Sequence, residues 1–216
     1  MRLKYLILWL FLCAGPAGAQ KFKPVWSVGV NPFSAGESLS SLGPSVALRV
    51  SPGIELWSEG SFIFHNLYNI AGWDHVKGYR FIFQPRLFMG TTRRFFLAPE
   101  LRIKSFSYGI SLPFINESAQ DTLDGYYHRA NQFQIGGALV MGIRTVLSEK
   151  HRLFMDMTAG IGGRQRFIRR KGIPAGYSFT PTTGGWGLAP HYEWHMDGIL
   201  YLPIGLRLTW LLSEPD

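Results

Sequence analysis

Hydrophobic and polar residues alternate along this chain with a period of two. In 200–210, every even-numbered residue from Leu200 to Trp210 is apolar, whereas the odd-numbered positions include Arg207 and Thr209. Successive side chains of a β-strand point to opposite faces, so this period predicts strands with one apolar face. The predicted strands are 25–32, 42–50, 54–64, 79–89, 95–104, 133–144, 153–167 and 200–210.

Two kinds of connection alternate between these strands. The short turns are 51–53, 91–93 and 148–150, and the longer polar loops are 34–40, 66–77, 109–128 and 169–197. Each short turn follows an even-numbered strand, and each longer loop follows an odd-numbered one. Outer-membrane barrels show this asymmetry, with short periplasmic turns and long outer loops. We therefore predict an all-β fold, an eight-stranded antiparallel up-and-down transmembrane β-barrel.

The sizes of the side chains indicate which face of the predicted barrel meets lipid. The apolar sets are rich in Phe, Leu, Tyr and Trp, and the opposite sets contain many Gly, Ala and Ser residues. Eight strands enclose a space only wide enough for side chains, so the smaller set fits inside. The outward aromatic residues Tyr79, Phe95 and Trp210 are then predicted near the membrane interfaces. The alternative is a soluble, lipocalin-like barrel with the apolar set inside.

The charged residues of the strands fall on the predicted inner face. Buried charges need partners, and guanidinium–carboxylate pairs supply them, so we expect a hydrated salt-bridge plug. A small conducting channel is the alternative. Four strand prolines remove ladder donors and predict bulges or local breaks, namely Pro44, Pro85, Pro99 and Pro203. The predicted lumen network comprises Arg49, Glu55, Glu59, Arg80, Arg86, Glu100, Arg102, Lys104, Arg144, Asp156 and Arg207.

The N-terminal segment 1–19 has the pattern of a cleaved secretory signal. Arg2 and Lys4 precede a short apolar run, and small residues end at Ala19. We assign 1–19 to the signal peptide and 20–216 to the barrel domain. Cys13 follows Leu12 rather than the small residue of a lipoprotein signal, so lipidation is the less favoured reading. The mature chain then contains no cysteine, and packing and backbone pairing must stabilise it.

The composition changes meaning once the alternation is recognised. Hydrophobic residues make up 46% of the chain and charged residues 17%, whereas soluble domains carry about 25% charged residues. No apolar run reaches the ~18–20 residues of a spanning helix, which argues against a helical membrane protein. Spreading the apolar residues over alternate strand positions accounts for both facts. We predict that the protein is secreted through the inner membrane and inserted in the cell outer membrane.

Three segments resemble an uncharacterised family of small outer-membrane β-barrel proteins from Bacteroidetes-type bacteria. They are 86–102, 147–156 followed by 160–163, and 202–208, and the similarity extends over most of 25–212. The resemblance implies a barrel similar to OmpX or to the transmembrane half of OmpA, and it implies no known reaction. Unlike OmpA, the sequence ends just after the last predicted strand, at Asp216, so we expect no peptidoglycan-binding domain.

A basic cluster runs from the seventh predicted strand into the loop that follows. If it lies at the outer leaflet, its charges can contact lipopolysaccharide phosphates, while the alternative is a solvated strand end. The compartment argues against a nucleic-acid partner. The cluster comprises Arg164, Arg166, Arg169, Arg170 and Lys171.

Residues able to support metal binding or catalysis are scattered. His191 and His195, with Glu193 between them, suit a metal only on a helix, and nearby Pro190 argues against one. A lipid A esterase or acyltransferase would need a Ser–His pair, and His128 or His65 with Ser107 or Ser111 are candidates without distinctive spacing. We predict no catalytic residues, no metal and no cofactor.

The expected role is structural or partner-binding, through the long outer loops 109–128 and 169–197. The expected partners are outer-membrane lipid, lipopolysaccharide and other outer-membrane or surface proteins. A lipid-modifying enzyme and a small channel are the alternative functions.

Overall fold

The computed structural model describes residues 22–32, 39–66, 73–116, 118–179 and 194–212. The predicted signal peptide 1–19 and the histidine His191 lie outside these residues. For His65 and His195 the description covers the backbone alone. Within the described residues, no helix is long and apolar enough to cross a membrane.

The described chain forms eleven β-strands. Four of them begin where a predicted strand begins and one ends where a predicted strand ends, whereas the two longest extend well beyond the predicted bounds. The strands are β1 (Val25–Val30), β2 (Leu39–Leu42), β3 (Pro44–Ser51), β4 (Ile54–Asn66), β5 (Asp74–Met89), β6 (Phe95–Asn116), β7 (Asp121–Ser148), β8 (Leu153–Lys171), β9 (Ser178–Phe179), β10 (Trp194–Tyr201) and β11 (Ile204–Leu211).

The strands form one antiparallel sheet whose pairing returns to its first strand. Pairs run from β3 through β4, β5, β6 and β7 to β8, then β8 pairs with β11, β11 with β1 and β1 with β3. β2 and β3 lie one after the other along β4, as β10 and β11 do along β8. The described strands therefore make a ring of eight positions, and the predicted antiparallel all-β class is confirmed.

Alternation along each strand separates a buried inner face from an exposed outer face. In β1, buried and exposed residues alternate without exception, and in β5 every second residue from Val76 to Phe88 is buried while those between are exposed or partly exposed. A ring of this kind directs every second side chain inward. The sequence alternation divides each strand into an apolar set and an opposite, more polar set. The inner face of the ring consists of the opposite, more polar set.

The strand prolines lie at interruptions of the hydrogen-bond ladder. Pro85 and Pro99 stand directly opposite each other, in a gap between the pairs Phe83–Leu101 and Leu87–Leu97. Pro203 lies in the break between β10 and β11, and Pro44 follows the break at Gly43 that separates β2 from β3. A proline cannot donate to the ladder, so these four positions account for the three interruptions.

The two ends of the ring differ in their connections, although not as the loop prediction states. The connections after β3, β5 and β7 are short, as expected, and Gly90 opens the second with a φ of 75°. The interpretation of 109–128 as a loop is wrong, because β6 continues to Asn116 and β7 begins at Asp121. Pairing between two long strands outweighs the polar and glycine-containing local sequence here. The region is a protruding hairpin.

Candidate functional site

Two arginines and two carboxylates form the densest polar cluster on the inner face. Arg144 donates to both oxygens of Glu55 at 2.7 and 2.8 Å and to both oxygens of Asp156 at 2.7 and 2.8 Å. One nitrogen of Arg86 bridges the same two carboxylates at 2.9 Å each. Two-pronged contacts of this kind are the strongest guanidinium–carboxylate geometry. We call these four residues the inner ion cluster.

Four strands supply the inner ion cluster, and their register sets its geometry. Glu55 of β4 pairs with Arg86 of β5, and Arg144 of β7 pairs with Asp156 of β8. Each charged residue therefore faces one of opposite sign on the neighbouring strand. A one-residue slip in either pair would move one partner to the outer face. The cluster consequently defines the register across the ring.

Aromatic rings surround the arginines of the inner ion cluster. The guanidinium carbon of Arg86 lies 4.7 Å from the centre of the Trp57 ring and 4.9 Å from that of Phe96. The corresponding carbon of Arg144 lies 4.8 Å from the Phe88 ring. Cation–π contacts of this length stabilise arginines that have been removed from water. The cluster is thus packed on its apolar sides as well as paired.

A second group of polar contacts extends the cluster along the inner face. Gln84 accepts hydrogen bonds from Arg86 at 3.2 and 3.3 Å and from Arg207 at 3.1 Å. Its amide nitrogen donates to Glu100 at 2.6 Å, and Glu100 also accepts from Arg102 at 2.9 Å. Gln84 therefore joins the inner ion cluster to the Glu100–Arg102 pair through one neutral side chain.

A third group lies around Glu59. Its carboxylate accepts from Arg80, from the Ser61 hydroxyl at 2.9 Å and from the Asn31 amide at 3.2 Å. Arg80 also donates to Ser61 at 3.2 Å. Both charged side chains of this group are fully enclosed. Both oxygens of the carboxylate therefore accept hydrogen bonds within the ring.

The structure places all eleven residues of the predicted lumen network on the inner face. Nine are buried, and Arg49 and Arg102 are partly exposed. Arg49 approaches Glu55 at 3.6 Å, and Lys104 is opposite Arg80 and Gln134 in the register. The prediction omitted Gln84 and Trp57, because it selected charged residues only. Both lie in the same alternate set as their charged neighbours, which is the signal that would have found them.

The predicted basic cluster is divided between the two faces of β8. Arg164, Arg166 and Arg170 occupy inner-face positions, whereas Arg169 and Lys171 are exposed on the outer face. The two-residue period of a strand makes this separation unavoidable for neighbours in sequence. The five residues therefore do not form one surface, and only two of them lie on the outer face.

The candidate catalytic residues do not converge. His128 lies on the inner face against the Phe114 ring, 5.0 Å between centres, whereas Ser107 and Ser111 occupy outer-face positions of β6. Burial lowers the pKa of His128 below its ordinary value, with a smaller contribution from Arg170. Among the described residues, no three His, Cys, Asp or Glu side chains are close enough to hold a metal ion.

Comparison of the chain with protein-family models, with curated proteins and with solved structures gives no match.

Proposed function

We propose that this chain is an integral outer-membrane protein, an eight-stranded up-and-down transmembrane β-barrel without catalytic activity. The inverted polarity of the closed sheet supports this proposal most directly. On the outer face Leu200 is 72% and Met141 65% exposed, while Arg86 and Asp156 inside are at most 1% exposed. Such a surface is unfavourable in water and favourable in hydrocarbon. The lipid environment would then act as solvent for the outer face.

The height of the apolar outer face fits a bilayer. On β7 its outer-face residues run from Phe133 to Ile143, and on β6 the paired residues run from Ser105 to Phe95. Ten residue steps of ~3.3 Å at a tilt of ~45° give a height of roughly 23 Å. Known barrels have an apolar band of about 25 Å. We call this part of the outer face the apolar band.

Aromatic side chains lie at both limits of the apolar band. At the limit nearer the protruding hairpin, Phe62 contacts Tyr79 and Phe133 contacts Phe167, with ring centres 5.5 and 6.0 Å apart. At the other limit, the exposed aromatic residues are Phe95, Trp26 and Trp210. Rows of aromatic residues at both interfaces are typical of outer-membrane barrels. They support a fixed depth of insertion.

The filled interior supports a structural role rather than conduction. The inner ion cluster connects β4, β5, β7 and β8, and its side chains are almost completely removed from solvent. An ion crossing this level would have to separate Arg144 from both of its carboxylates. We therefore infer that the interior at this level is a structural core of paired charges and aromatic rings.

The protruding hairpin supports the partner-binding part of the proposal. β6 and β7 continue beyond the apolar band to Asn116 and Asp121 and remain paired along that length. Tyr177 donates a hydrogen bond of 2.5 Å to Asp121, so the segment after β8 folds against the hairpin. Elements that a rigid scaffold presents to solvent commonly carry recognition. We infer that this end of the protein contacts other outer-membrane or surface proteins.

Single cysteines test insertion and orientation together. Cys13 is the only cysteine of the chain, and it lies in the predicted signal peptide. Ser118→Cys places a thiol at the exposed hairpin turn and Glu149→Cys places one at the exposed β7–β8 turn. With a membrane-impermeant maleimide on intact cells, we expect labelling at position 118 alone. Permeabilised cells should label both.

The same cells provide the result that would overturn the proposal. An outer-membrane barrel must remain in the outer-membrane fraction after an alkaline wash and must change its gel mobility when boiled. Recovery of the chain in the soluble fraction would contradict membrane insertion. Equal labelling of both cysteines on intact cells would contradict the orientation.

Removal of the hairpin tip tests the partner-binding role. Deletion of 113–124 and rejoining of the two strands shortens the hairpin outside the apolar band. In pull-downs from mildly solubilised outer membranes, we expect the wild-type chain to retain a partner that the shortened chain loses. The same set of retained proteins for both chains would place the contact elsewhere.

A further inference from the structure

The outer face of β7 and β8 carries basic residues just beyond the apolar band. Arg129 is directly opposite Lys171, and Asn131 is directly opposite Arg169. All three basic side chains are exposed. Like charges on directly opposed strand positions destabilise a sheet. An anion bound between these cations would turn the repulsion into a net attraction. We call Arg129, Arg169 and Lys171 the basic seat.

A groove lies below the basic seat, on the same two strands and within the apolar band. Its volume is about 650 Å³, and it is open to the outside. A Cβ atom on Gly163 would meet no heavy atom within 4 Å, and one on Gly137 would approach only the Glu100 carbonyl oxygen, at 3.7 Å. The floor of the groove is formed by Gly136, Gly137 and Gly163. Leu101, Ile135 and Leu200 form apolar walls, and Arg164 and Gln165 complete the lining.

Gly137 and Gly163 are therefore not required by packing within the chain, whereas a Cβ on Gly136 would approach the Cβ of Arg164 to 2.9 Å. Side chains at positions 137 and 163 would fill the groove without disturbing the sheet. Hydrocarbon from outside can occupy the same space. An acyl chain in the groove gains van der Waals contacts with the Leu and Ile walls, and the gain increases with the apolar area in contact.

The order of features along β7 and β8 matches the order of groups in a lipid. From the hairpin end they are the basic seat, the Phe133–Phe167 contact and the groove. Gly137 lies four residues below Phe133, roughly 9 Å along the membrane normal at a ~45° tilt. That depth is within one leaflet, about half of the ~30 Å hydrocarbon core.

We propose that the basic seat and the groove together bind one phosphorylated glycolipid of the lipid A kind. Its phosphate would lie between Arg129 and Lys171, with Arg169 two residues further along the face, and one acyl chain would lie over the glycine floor. Three cations in succession suit a wide, multiply charged headgroup better than one phosphodiester. The inference rests on the proposed function, because it requires the hairpin end to meet the outer leaflet.

Native mass spectrometry of the folded full-length protein in detergent, titrated with purified lipid A, tests this site. We expect one lipid A bound to the wild-type chain. Arg129→Gln with Lys171→Gln should weaken retention by about thirtyfold, because each of the two cations near an anionic headgroup contributes roughly fivefold to affinity. Gly163→Leu should weaken retention by about tenfold, because it occupies the acyl-chain space.

Matched controls remove equal charge or fill an equal space elsewhere. Arg94→Gln with Lys150→Gln removes two exposed cations at the opposite end of the ring. Gly60→Leu adds the same side chain at an exposed outer-face glycine of β4, where a Cβ also meets nothing within 4 Å. Both controls should retain lipid A as the wild-type chain does.

Several results would overturn the proposal. Unchanged retention in the seat variant or in Gly163→Leu would exclude that half of the site, and equal loss in the controls would show non-specific adhesion. Retention of phosphatidylglycerol as tightly as lipid A would reject the glycolipid assignment, and displacement by inorganic phosphate alone would reject the acyl-chain contact. A chain that inserts in membranes but fails these tests refutes this site and leaves the proposed function standing.

Discussion

The two ends of the ring's interior differ in how their charged residues are held. At the short-turn end, the inner ion cluster joins Arg86 and Arg144 to Glu55 and Asp156 through contacts of 2.7 to 2.9 Å. Towards the protruding hairpin, the interior is an apolar cluster that includes Ile63, Phe106 and Ile168, with Trp73 packed against it. The interior thus changes from paired buried charges at one end to an apolar cluster at the other, where Arg166 and Arg170 lie beside Ile168 on the inner face of β8.

The outer face changes in the opposite sense at the same level. Below Phe133 it is apolar, and beyond Phe133 it presents Asn131, Arg129 and, on the next strand, Arg169. A protein in water has its apolar residues inside, and the hairpin end follows that rule. The short-turn end reverses it. The level at which both faces change therefore indicates where the proposed membrane ends and water begins.

The largest expected effect comes from breaking the charged end. Asp156→Asn removes one of the two carboxylates that neutralise Arg86 and Arg144, and leaves excess buried positive charge. We expect a loss of about 3–5 kcal/mol in the free energy of unfolding, measured by denaturant titration in detergent. Glu149→Gln, an exposed turn residue, should change stability by less than ~0.5 kcal/mol. Equal stability of the two variants would show that the cluster is dispensable.

A charge on the outer face tests the position of the boundary. Met141→Arg puts a cation in the apolar band, and we expect it to reduce the free energy of insertion by about 2–4 kcal/mol. Ser111→Arg introduces the same side chain on the outer face of the hairpin, beyond the band, and should have little effect. Equilibrium folding into vesicles measures both. Similar losses in the two variants would contradict the assigned level.

Truncation of an inner residue at the apolar end should have a smaller and more local effect. Ile168→Ala leaves a cavity in the apolar cluster, at a cost of about 2 kcal/mol, the low end for such changes because the ring's open end can relax. Hydrogen exchange should increase in β6–β8 beyond the band and remain slow within it. Ile161→Ala, at an exposed outer position of the same strand, is the control. Uniform exchange along β8 would contradict separate ends.

The smallest expected effect is a pH dependence confined to the apolar end. Because burial lowers the pKa of His128 from its ordinary 6.5, the folded state favours the neutral ring. Its contribution to stability is complete above pH 6.5 and is lost as the pH falls towards the lowered pKa. Hydrogen-exchange protection near Phe114, relative to the intrinsic exchange rate at each pH, should therefore decrease on mild acidification. His128→Gln should remove the response, and His151→Gln, in an exposed turn, should retain it. Persistence of the pH response in His128→Gln would show that another group causes it.

The alternation of side chains allowed much of the fold to be predicted, because strand period is a local property. It separated Arg207 from Leu206 and Leu208, and it placed Glu55 and Glu59 on the same face. Turn composition located the connections near Gly53 and Gly90. The length of the hairpin could not be predicted, because whether polar residues continue a strand depends on a partner elsewhere in the chain.

The site was predictable as a set of charges but not as a set of contacts. Cross-strand register decides that Arg144 faces Asp156 and that Arg129 faces Lys171. The sequence of one strand does not determine this register. The opposition of Pro85 to Pro99 has the same origin. The basic run at the end of β8 was misread for a simpler reason: it was treated as a continuous patch although strand neighbours face opposite ways.

The pairing of β1 with β11 has a consequence for the order of events during folding. Val28 lies beside Trp210, and the amide of Leu212 donates to the Trp26 carbonyl at 2.9 Å. Almost the whole described chain lies between these partners. The ring can therefore close only after the last strand is available to pair with the first. Contacts so distant in sequence slow folding. Until that pairing forms, β1 and β11 each have an edge whose backbone hydrogen-bonding groups are unpaired, and each edge is satisfied by the other strand.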